Sequence, residues 1–280
     1  MLKYKAVYDS RVTAFLGDEN SYSHAAAQML TDGALKGYDT VSSVISAVMR
    51  GDTDTAVVPT ENSVEGAVNE VYDTLSGSGL FIARQIILPI RHSLIAAEGA
   101  TLSSVKRIRS HAQAIGQCRN FLSKLNVTVE AVSSTSAAIS LVDDESAAIG
   151  FKPKAGQTVL ATDIQDSMLN ATRFSLLTKE RSVDGQTVSI SFDLKNKPGA
   201  LLAALNVLSG AGVNMTRIIS RPHRSGDGRY RFFVDFDYAD GTEKLEAFLE
   251  EIKSACDGLW FLGRYEVVTA QLNADKTNNG

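Results

Sequence analysis

The sequence predicts an α/β protein in two parts: a first domain with largely parallel strands and a smaller ferredoxin-like βαββαβ unit. Three observations predict this fold class. The chain has 280 residues, more than a single hydrophobic core usually holds. Short apolar runs alternate with helical periods between residues 13 and 178. Beyond a polar turn at 183–185, apolar residues recur at every second position.

The first domain alternates predicted strands and helices in chain order. Apolar runs predict strands at 13–16, 54–58, 105–109, 127–132, 147–150 and 173–178, and strand-like stretches within 81–97. Helical periods predict helices at 24–30, 66–75, 110–125 and 136–142. Ser23 is the expected cap of the first helix and Ser110 that of the third. This alternation is typical of parallel sheets with helices on their faces.

The second domain has clearer periodicity. Strands are predicted at 188–194, 213–220, 230–236 and 259–268, with a hairpin loop at 224–228. Pro198 is expected to begin the first helix, which Gly210 and Gly212 end. Thr242 is expected to cap the second helix. The order βαββαβ predicts a ferredoxin-like unit, followed by a polar tail at 271–280 that is predicted to be disordered.

Composition excludes several classes of protein. The net charge of −4 offers no basic excess to neutralise phosphates, which excludes a nucleic-acid binder. The two cysteines, Cys118 and Cys256, are too few for a disulfide framework and suit a reducing compartment. No apolar run approaches the roughly 18 residues of a membrane span, and residues 1–10 lack the apolar core of a signal peptide. These observations predict a cytoplasmic protein.

Motifs for cofactors and metals are missing from the sequence. No G-x-G-x-x-G follows a strand, and neither a P-loop nor a G-x-S-x-G elbow occurs. The histidines lie far apart, without metal-ligand spacing: His24, His92, His111 and His223. The sequence therefore predicts chemistry without a metal or cofactor, or plain ligand binding.

Polar clusters interrupt the apolar pattern at predicted strand ends, which is where α/β sheets bind ligands. They lie at 17–23, 59–63, 111–113 and 133–136. Their hydroxyl groups, with the free N–H groups of helix starts, suit a carboxylate ligand. At 170–174, Thr172 adjoins Arg173, whose guanidinium fork also matches a carboxylate. Each feature alone is more typical of a cap, a turn or a surface arginine, but together they favour a ligand site.

Several segments also carry a family resemblance, in a fixed order over residues 13–270. Thr172-Arg173-Phe174 matches a Thr-Arg-Phe signature, and residues 58–66 resemble P-x-E-N-S-x-x-G. Residues 111–118 resemble H-P-Q-A-x-x-Q-C, and residues 15–23 resemble a glycine-rich loop. Residues 196–201 and 220–222 resemble the two phenylalanine-binding motifs of an ACT domain. The chain thus resembles the prephenate dehydratase family with a fused ACT domain.

The resemblance implies a two-lobed catalytic domain at 11–182, like type II periplasmic binding proteins, and an ACT regulatory domain at 185–270. The first lobe would comprise 11–87 with 162–182, and the second 88–161. The chain would cross between the lobes near residues 87 and 161. The family's assembly implies a homodimer or homotetramer.

The family converts prephenate to phenylpyruvate with loss of carbon dioxide and water, and it needs no cofactor. The resemblance makes Thr172 the hydrogen-bond donor to the leaving hydroxyl, Arg173 an anchor for substrate charge and Phe174 a neighbour of the ring or part of the core. The substrate-binding candidates are Ser21, Ser23, Thr60, Asn62, Ser63, His111, Gln113, Ser134 and Thr135. L-Phenylalanine is the implied effector, with Asn196, Pro198, Gly199, Ala200, Leu201, Asn214, Ser220, Arg221 and Pro222 as its candidate site.

Departures from the family pattern keep alternatives open. Asn20 stands where a loop glycine is usual, and Ala112 where proline is usual. Ile219 stands where a glutamate usually precedes Ser-Arg-Pro, which bears on the strength of feedback control. One alternative is an arogenate dehydratase, which runs the same chemistry on the amino analogue. The other is a non-catalytic small-molecule sensor with the same two-domain layout.

Overall fold

A computed structural model describes residues 8–223 and 228–270. Its strands are β1 (Val12–Leu16), β2 (Ala34–Tyr38), β3 (Thr55–Asn62), β4 (Gly66–Ala67), β5 (Phe81–Pro89), β6 (Ser93–Ala97), β7 (Arg107–His111), β8 (Thr128–Val132), β9 (Ser146–Gly150), β10 (Gln157–Ala161), β11 (Ala171–Thr178), β12 (Thr187–Leu194), β13 (Asn214–Pro222), β14 (Tyr230–Asp237) and β15 (Gly258–Thr269). Its helices are α1 (Tyr22–Leu30), α2 (Val41–Arg50), α3 (Asn69–Leu75), α4 (Ala112–Gln117), α5 (Arg119–Leu122), α6 (Thr135–Ser140), α7 (Ala200–Gly210) and α8 (Thr242–Ser254).

The α/β class is confirmed, and the described chain forms two sheets. One has the order β13-β14-β12-β15-β5-β11-β3-β1-β2, with β4 paired to β3, and the other has the order β10-β6-β9-β7-β8. Within the described ranges, no helix is long and apolar enough to span a membrane. Residues 224–227 of the predicted hairpin loop, and the tail at 271–280, lie outside the described residues.

The first lobe consists of β1–β5, β11 and helices α1–α3. Strand β2 and helix α2 occupy a stretch for which no element was predicted. Strand β2 lies at the edge of the sheet and is mostly exposed, so it lacks the alternation that identifies a half-buried strand. The cap of α1 is Ser21, which accepts a hydrogen bond from the His24 N–H, and not the predicted Ser23.

The second lobe is the five-stranded sheet with α4–α6. The chain leaves the first lobe after Pro89, enters this sheet at Ser93, and returns to the first lobe at Ala171. The predicted helix at 110–125 is two short helices that meet at Cys118, and His111 caps the first of them. Ser110 is instead a buried strand residue whose hydroxyl donates to the Ile149 carbonyl.

The C-terminal unit, β12–β15 with α7 and α8, has the ferredoxin-like order that periodicity predicts. Two predicted helix starts are wrong by a residue or two. Helix α7 begins at Ala200, because Gly199 before it adopts a left-handed conformation with φ of 80°. Helix α8 contains Thr242 as its first residue, and Gly241 occupies the cap position.

The C-terminal unit is continuous with the first lobe. Strand β15 pairs in parallel with β5, from Glu266 opposite Arg84 to Thr269 opposite Ile87. Gly263 lies at this junction, where a Cβ atom would stand 2.2 Å from the Ile82 carbonyl oxygen. The sheet face opposite α7 and α8 packs on α3, so that Phe233 and Tyr265 share one hydrophobic cluster with Tyr72.

Candidate active site

A cleft separates the two lobes. Strands β1 and β3 of the first lobe run parallel. The loop 17–20 follows the carboxyl end of β1, and Asn62 is the last residue of β3. Strands β7 and β8 of the second lobe also run parallel, and His111 lies opposite Val132 just before Ser134. A cavity of about 1220 Å³ lies between the loop 17–19 and the start of α6. The cavity is lined by the carboxyl end of β1 and the loop after it, by α1 and the segment 31–39, and by the start of α6.

Thr172 and Asn62 form a cross-strand pair of β11 and β3, where the chain returns from the second lobe; Thr172 is 9% exposed, and neither residue lines the cavity described above. The Asn62 amide nitrogen Nδ2 donates to Thr172 Oγ1 at 3.0 Å and to Asn170 Oδ1 at 2.8 Å. Its oxygen Oδ1 accepts from the N–H groups of Val64 and Glu65, which fixes the orientation of the amide. The Thr172 oxygen is therefore an acceptor toward Asn62, and its own O–H proton is free to be donated elsewhere.

The hydrogen bonds continue into the second lobe. Asn170 Nδ2 donates to Gln117 Oε1 at 3.0 Å, and His92 Nε2 lies 2.8 Å from the same oxygen. Because that oxygen can only accept, His92 carries its proton on Nε2. Burial lowers the pKa of His92, while the hydrogen bond to Gln117 partly offsets this effect. The imidazole is therefore neutral at pH 7, and the chain Asn62–Asn170–Gln117–His92 links the two lobes.

Asn170, Gln117 and His92 were not predicted as site residues. Gln117 lies in the H-x-Q-A-x-x-Q-C segment and Asn170 directly precedes β11, so both positions carried a signal. His92 carried none, because a single histidine between two strands is an ordinary core residue.

Arg173 lies on the sheet face opposite Thr172. Its Nη1 donates to Gln85 Oε1 at 2.9 Å, and its Nε lies 3.4 Å from Glu61 Oε2. Successive side chains of a strand point to opposite faces, so Thr172 and Arg173 cannot both enter the cleft. The structure does not bring the Arg173 guanidinium to the cleft, which removes the geometric basis for its predicted role as a substrate anchor.

Two further predicted residues are buried away from the cleft. Phe174 is 2% exposed and packs in the hydrophobic cluster that includes Phe15, so it is a core residue and not a neighbour of the substrate ring. Thr60 is 1% exposed, and its hydroxyl donates to the Arg173 carbonyl. Thr60 is the extra residue of a bulge, since Arg173 pairs with Glu61 but Phe174 pairs with Pro59.

The remaining candidates serve first as local structural groups. Ser21, His111 and Ser134 cap α1, α4 and α6 through side-chain acceptors. Ser63 Oγ donates to the Leu169 carbonyl and accepts from the Ala171 N–H. These bonds connect the end of β3 to the segment that returns from the second lobe into β11. Ser23 is 6% exposed. Half-buried positions in the first turns of α4 and α6 are occupied by Gln113 and Thr135.

The candidate effector residues form two groups in one protomer. The loop 196–199 is exposed, Ala200 and Leu201 begin α7, and Ser220, Arg221 and Pro222 end β13. Leu194 and Pro222 both lie opposite Tyr230, which places both segments at one end of the sheet. Asn214 lies opposite Asp237 at the other end, roughly 23 Å away at 3.3 Å per residue. Within one chain, Asn214 cannot reach a ligand held by Gly199.

Arg221 makes a contact that the effector prediction did not anticipate. Its guanidinium binds the Asp73 carboxylate of α3 through two hydrogen bonds of 2.8 and 2.7 Å. Ile219, on the same strand, packs against the cluster that α3 shares with the C-terminal unit.

Comparisons with known proteins agree with this architecture. Residues 13–182 match the family model described as prephenate dehydratase, and residues 188–257 match the ACT domain. An Arabidopsis thaliana protein named arogenate dehydratase/prephenate dehydratase 2, chloroplastic, is 34% identical over 94% of this chain and 75% of its own length.

Two solved structures resemble the whole fold. A prephenate dehydratase from Arthrobacter aurescens, in complex with L-Phe, is 31% identical with a TM-score of 0.81 over 91% of this chain and 90% of its own. A structure described as GqqA, a novel type of quorum quenching acylase, is 28% identical with a TM-score of 0.83 over 91% of this chain and 97% of its own.

Proposed function

The chain belongs to the prephenate dehydratase family, and we propose that it converts prephenate to phenylpyruvate at the Asn62–Thr172 pair. The reaction is that of a carbon–oxygen lyase, and the catalytic unit spans 11–182. The single observation that carries the assignment of the site is the hydrogen-bond polarity of this pair. Asn62 donates to Thr172 Oγ1, which leaves the Thr172 hydroxyl proton available to a substrate.

The chemistry needs one proton donor and no external oxidant. The ring C–O bond breaks and its electron pair leaves with the hydroxyl group, which takes a proton to become water. The bond to the ring carboxylate breaks as carbon dioxide departs, and its electron pair completes the aromatic ring. A threonine hydroxyl is a weak acid, so Thr172 acts as a positioned donor late in C–O cleavage and regains its proton from solvent. Orientation within the cleft supplies much of the remaining acceleration.

Charge placement supports the same assignment. A strong ion pair to the departing carboxylate would stabilise the ground state and slow its loss. The Arg173 guanidinium contacts Gln85 and Glu61 on the sheet face opposite Thr172, which supports a site without an arginine beside the departing carboxylate. We assign retention of the side-chain carboxylate to the start of α6, where Ser134 and Ser136 line the cavity, because the facing loop carries the like-charged side chains of Asp18 and Glu19.

The C-terminal unit, 185–270, is proposed to bind L-phenylalanine and to inhibit the catalytic unit. The Arthrobacter aurescens structure with bound L-Phe supports this assignment. Gly199, with its φ of 80°, lets the backbone approach a ligand at the start of α7. Because Asn214 lies at the far end of its own strand, a site that includes both residues requires Asn214 of a second protomer. We therefore propose a homodimer or homotetramer, acting in the cytoplasm, where the thiols of Cys118 and Cys256 stay free.

Other activities make different demands on the same residues. An acylase needs a nucleophile activated by a base, whereas the described hydrogen-bond partner of Thr172 Oγ1 is an amide donor. An arogenate dehydratase remains the second candidate, because the Arabidopsis relative carries that name. A non-catalytic sensor binds its ligand without donating a proton, so the available Thr172 hydroxyl proton favours a catalytic role over a sensor.

The test is an assay of the purified chain with prephenate and, separately, with arogenate. Phenylpyruvate release from prephenate, reduced by L-phenylalanine, is the expected result. Greater turnover of arogenate would transfer the assignment to that substrate. Binding of either compound without product would identify a sensor and overturn the proposed activity.

A further inference from the structure

On the sheet face opposite Asn62 and Thr172, the carboxylate of Glu61 connects strands β3 and β11 to the C-terminal unit. Glu61 Oε2 lies 3.4 Å from Arg173 Nε and 3.6 Å from Arg217 Nη1 of β13. Glu61 and Arg173 are the sequence neighbours of Asn62 and Thr172, and they point to the opposite sheet face. We term the Arg173–Glu61–Arg217 contact the rear ion cluster. It lies on the sheet face directly opposite the Asn62–Thr172 pair.

Arg217 is a fixed anchor within this cluster. Its Nη2 and Nε lie 2.6 and 2.7 Å from Asp235 Oδ2, and its Nη1 donates to the Tyr72 hydroxyl. The side chains of Arg217 and Asp235 are only 10% and 5% exposed. Burial alone would lower the pKa of Arg217, but the carboxylates of Asp235 and Glu61 raise it, so the guanidinium stays charged.

The rear ion cluster lies where the strand pairing itself is irregular. The register between β3 and β11 shifts between Arg173 and Phe174, which leaves Thr60 without a partner in the ladder. Side-chain contacts therefore add to the main-chain pairing in setting the spacing of the strand ends at this point. Among them, Thr60 bonds the Arg173 carbonyl and Glu61 contacts the Arg173 guanidinium. Loss of the anchor on Glu61 would let Asn62 shift relative to Thr172.

We propose that Arg217 is a positioning residue that the C-terminal unit supplies to the catalytic site. It holds Glu61, and through Glu61 and Arg173 it fixes the distance and orientation of Asn62 against Thr172. This inference rests on the proposed function, in which that pair is the donor group. The C-terminal unit thus contributes to basal turnover and is not only a ligand-binding module.

The experiment compares Arg217→Met and Glu61→Gln with Ser76→Ala as the matched control. Ser76 accepts a hydrogen bond from Arg231 across the same interface, and its described hydrogen bonds reach neither β3 nor β11. We expect both cluster variants to lose about 10- to 100-fold in kcat, with KM for prephenate changed less than about threefold. Arg217→Lys, which keeps the charge without the fork, should lose less than Arg217→Met. The double variant should lose no more than the worse single variant.

A second readout does not depend on turnover. Amide hydrogen exchange in peptides covering 59–63 and 171–174 should accelerate in Arg217→Met and stay at the wild-type rate in Ser76→Ala. Unchanged kcat together with unchanged exchange in a folded Arg217→Met or Glu61→Gln protein would overturn the positioning role. Additive losses in the double variant would also overturn it. An inactive wild-type protein would refute the proposed function alone, because the exchange measurement still decides whether Arg217 holds these strands.

Discussion

Asn62→Asp is the substitution that most directly tests the proton path. Aspartate is nearly isosteric and can still accept from the Val64 and Glu65 N–H groups, at 3.0 and 3.2 Å, so the local turn is retained. The donor bonds to Asn170 and Thr172, at 2.8 and 3.0 Å, are lost. A carboxylate there would accept the Thr172 hydroxyl proton and withhold it from the substrate. A positioned donor contributes about 10²- to 10⁴-fold, so kcat should fall by that factor, or about 3–5 kcal/mol in the barrier.

The assay is steady-state release of phenylpyruvate by wild type, Asn62→Asp, Thr172→Val and the double variant. The introduced carboxylate is expected to act by capturing the Thr172 proton. If it does, kcat of the double variant should be less than about threefold below that of Thr172→Val alone. Thermal unfolding checks that each variant is folded; two lost hydrogen bonds predict a stability cost of about 2 kcal/mol. Turnover of Asn62→Asp within about threefold of wild type, or losses that simply add, would refute the donor assignment.

Three other outcomes are expected. Arg173→Lys should lower kcat with little change in KM, because the guanidinium contacts Gln85 and Glu61 and not the cleft; a rise in KM alone would return Arg173 to substrate binding. Gly199→Val, strained at φ of 80°, should weaken L-phenylalanine binding in calorimetric titration while basal turnover persists; unchanged binding would place the effector elsewhere. Burial lowers the pKa of His92 below 6.5, so the unfolded state binds more protons and stability should fall as pH drops below about 6.5. His92→Gln should show a smaller fall in melting temperature over that range, and an identical pH profile would contradict this account.

The sequence predicted the fold more fully than the site. Period-two alternation identified β12 and β14, although the polar face of β12 is buried as well as its apolar face. The missed strand β2 lies at an exposed sheet edge, where no such pattern arises. The break at Cys118 within the predicted helix 110–125 lies two residues after Gly116, and glycine is a poor helix former that the prediction of one continuous helix left out of account.

The side-chain roles were harder to predict because motifs do not state which face a residue occupies. Thr172-Arg173 was interpreted as one functional unit, although strand alternation already requires adjacent side chains to separate. Asn62 was predicted as a site residue, but its donor polarity depends on the Val64 and Glu65 N–H groups, which the turn after β3 aims at its oxygen. Contacts such as Arg217 with Glu61 join residues far apart in the chain, and no local pattern predicts them.

The parallel pairing of β15 with β5 has a consequence for truncation of the protein. Cutting the chain near residue 182 would remove one of the two strands that pair with β5 and leave unpaired main-chain groups along 84–87. It would also uncover Tyr72, whose ring packs 4.9 Å from that of Phe233. An isolated fragment of this kind would present an unpaired strand edge and a bare core surface, both of which favour aggregation. The two halves of this chain are therefore expected to be obtained in good yield only when they are expressed together.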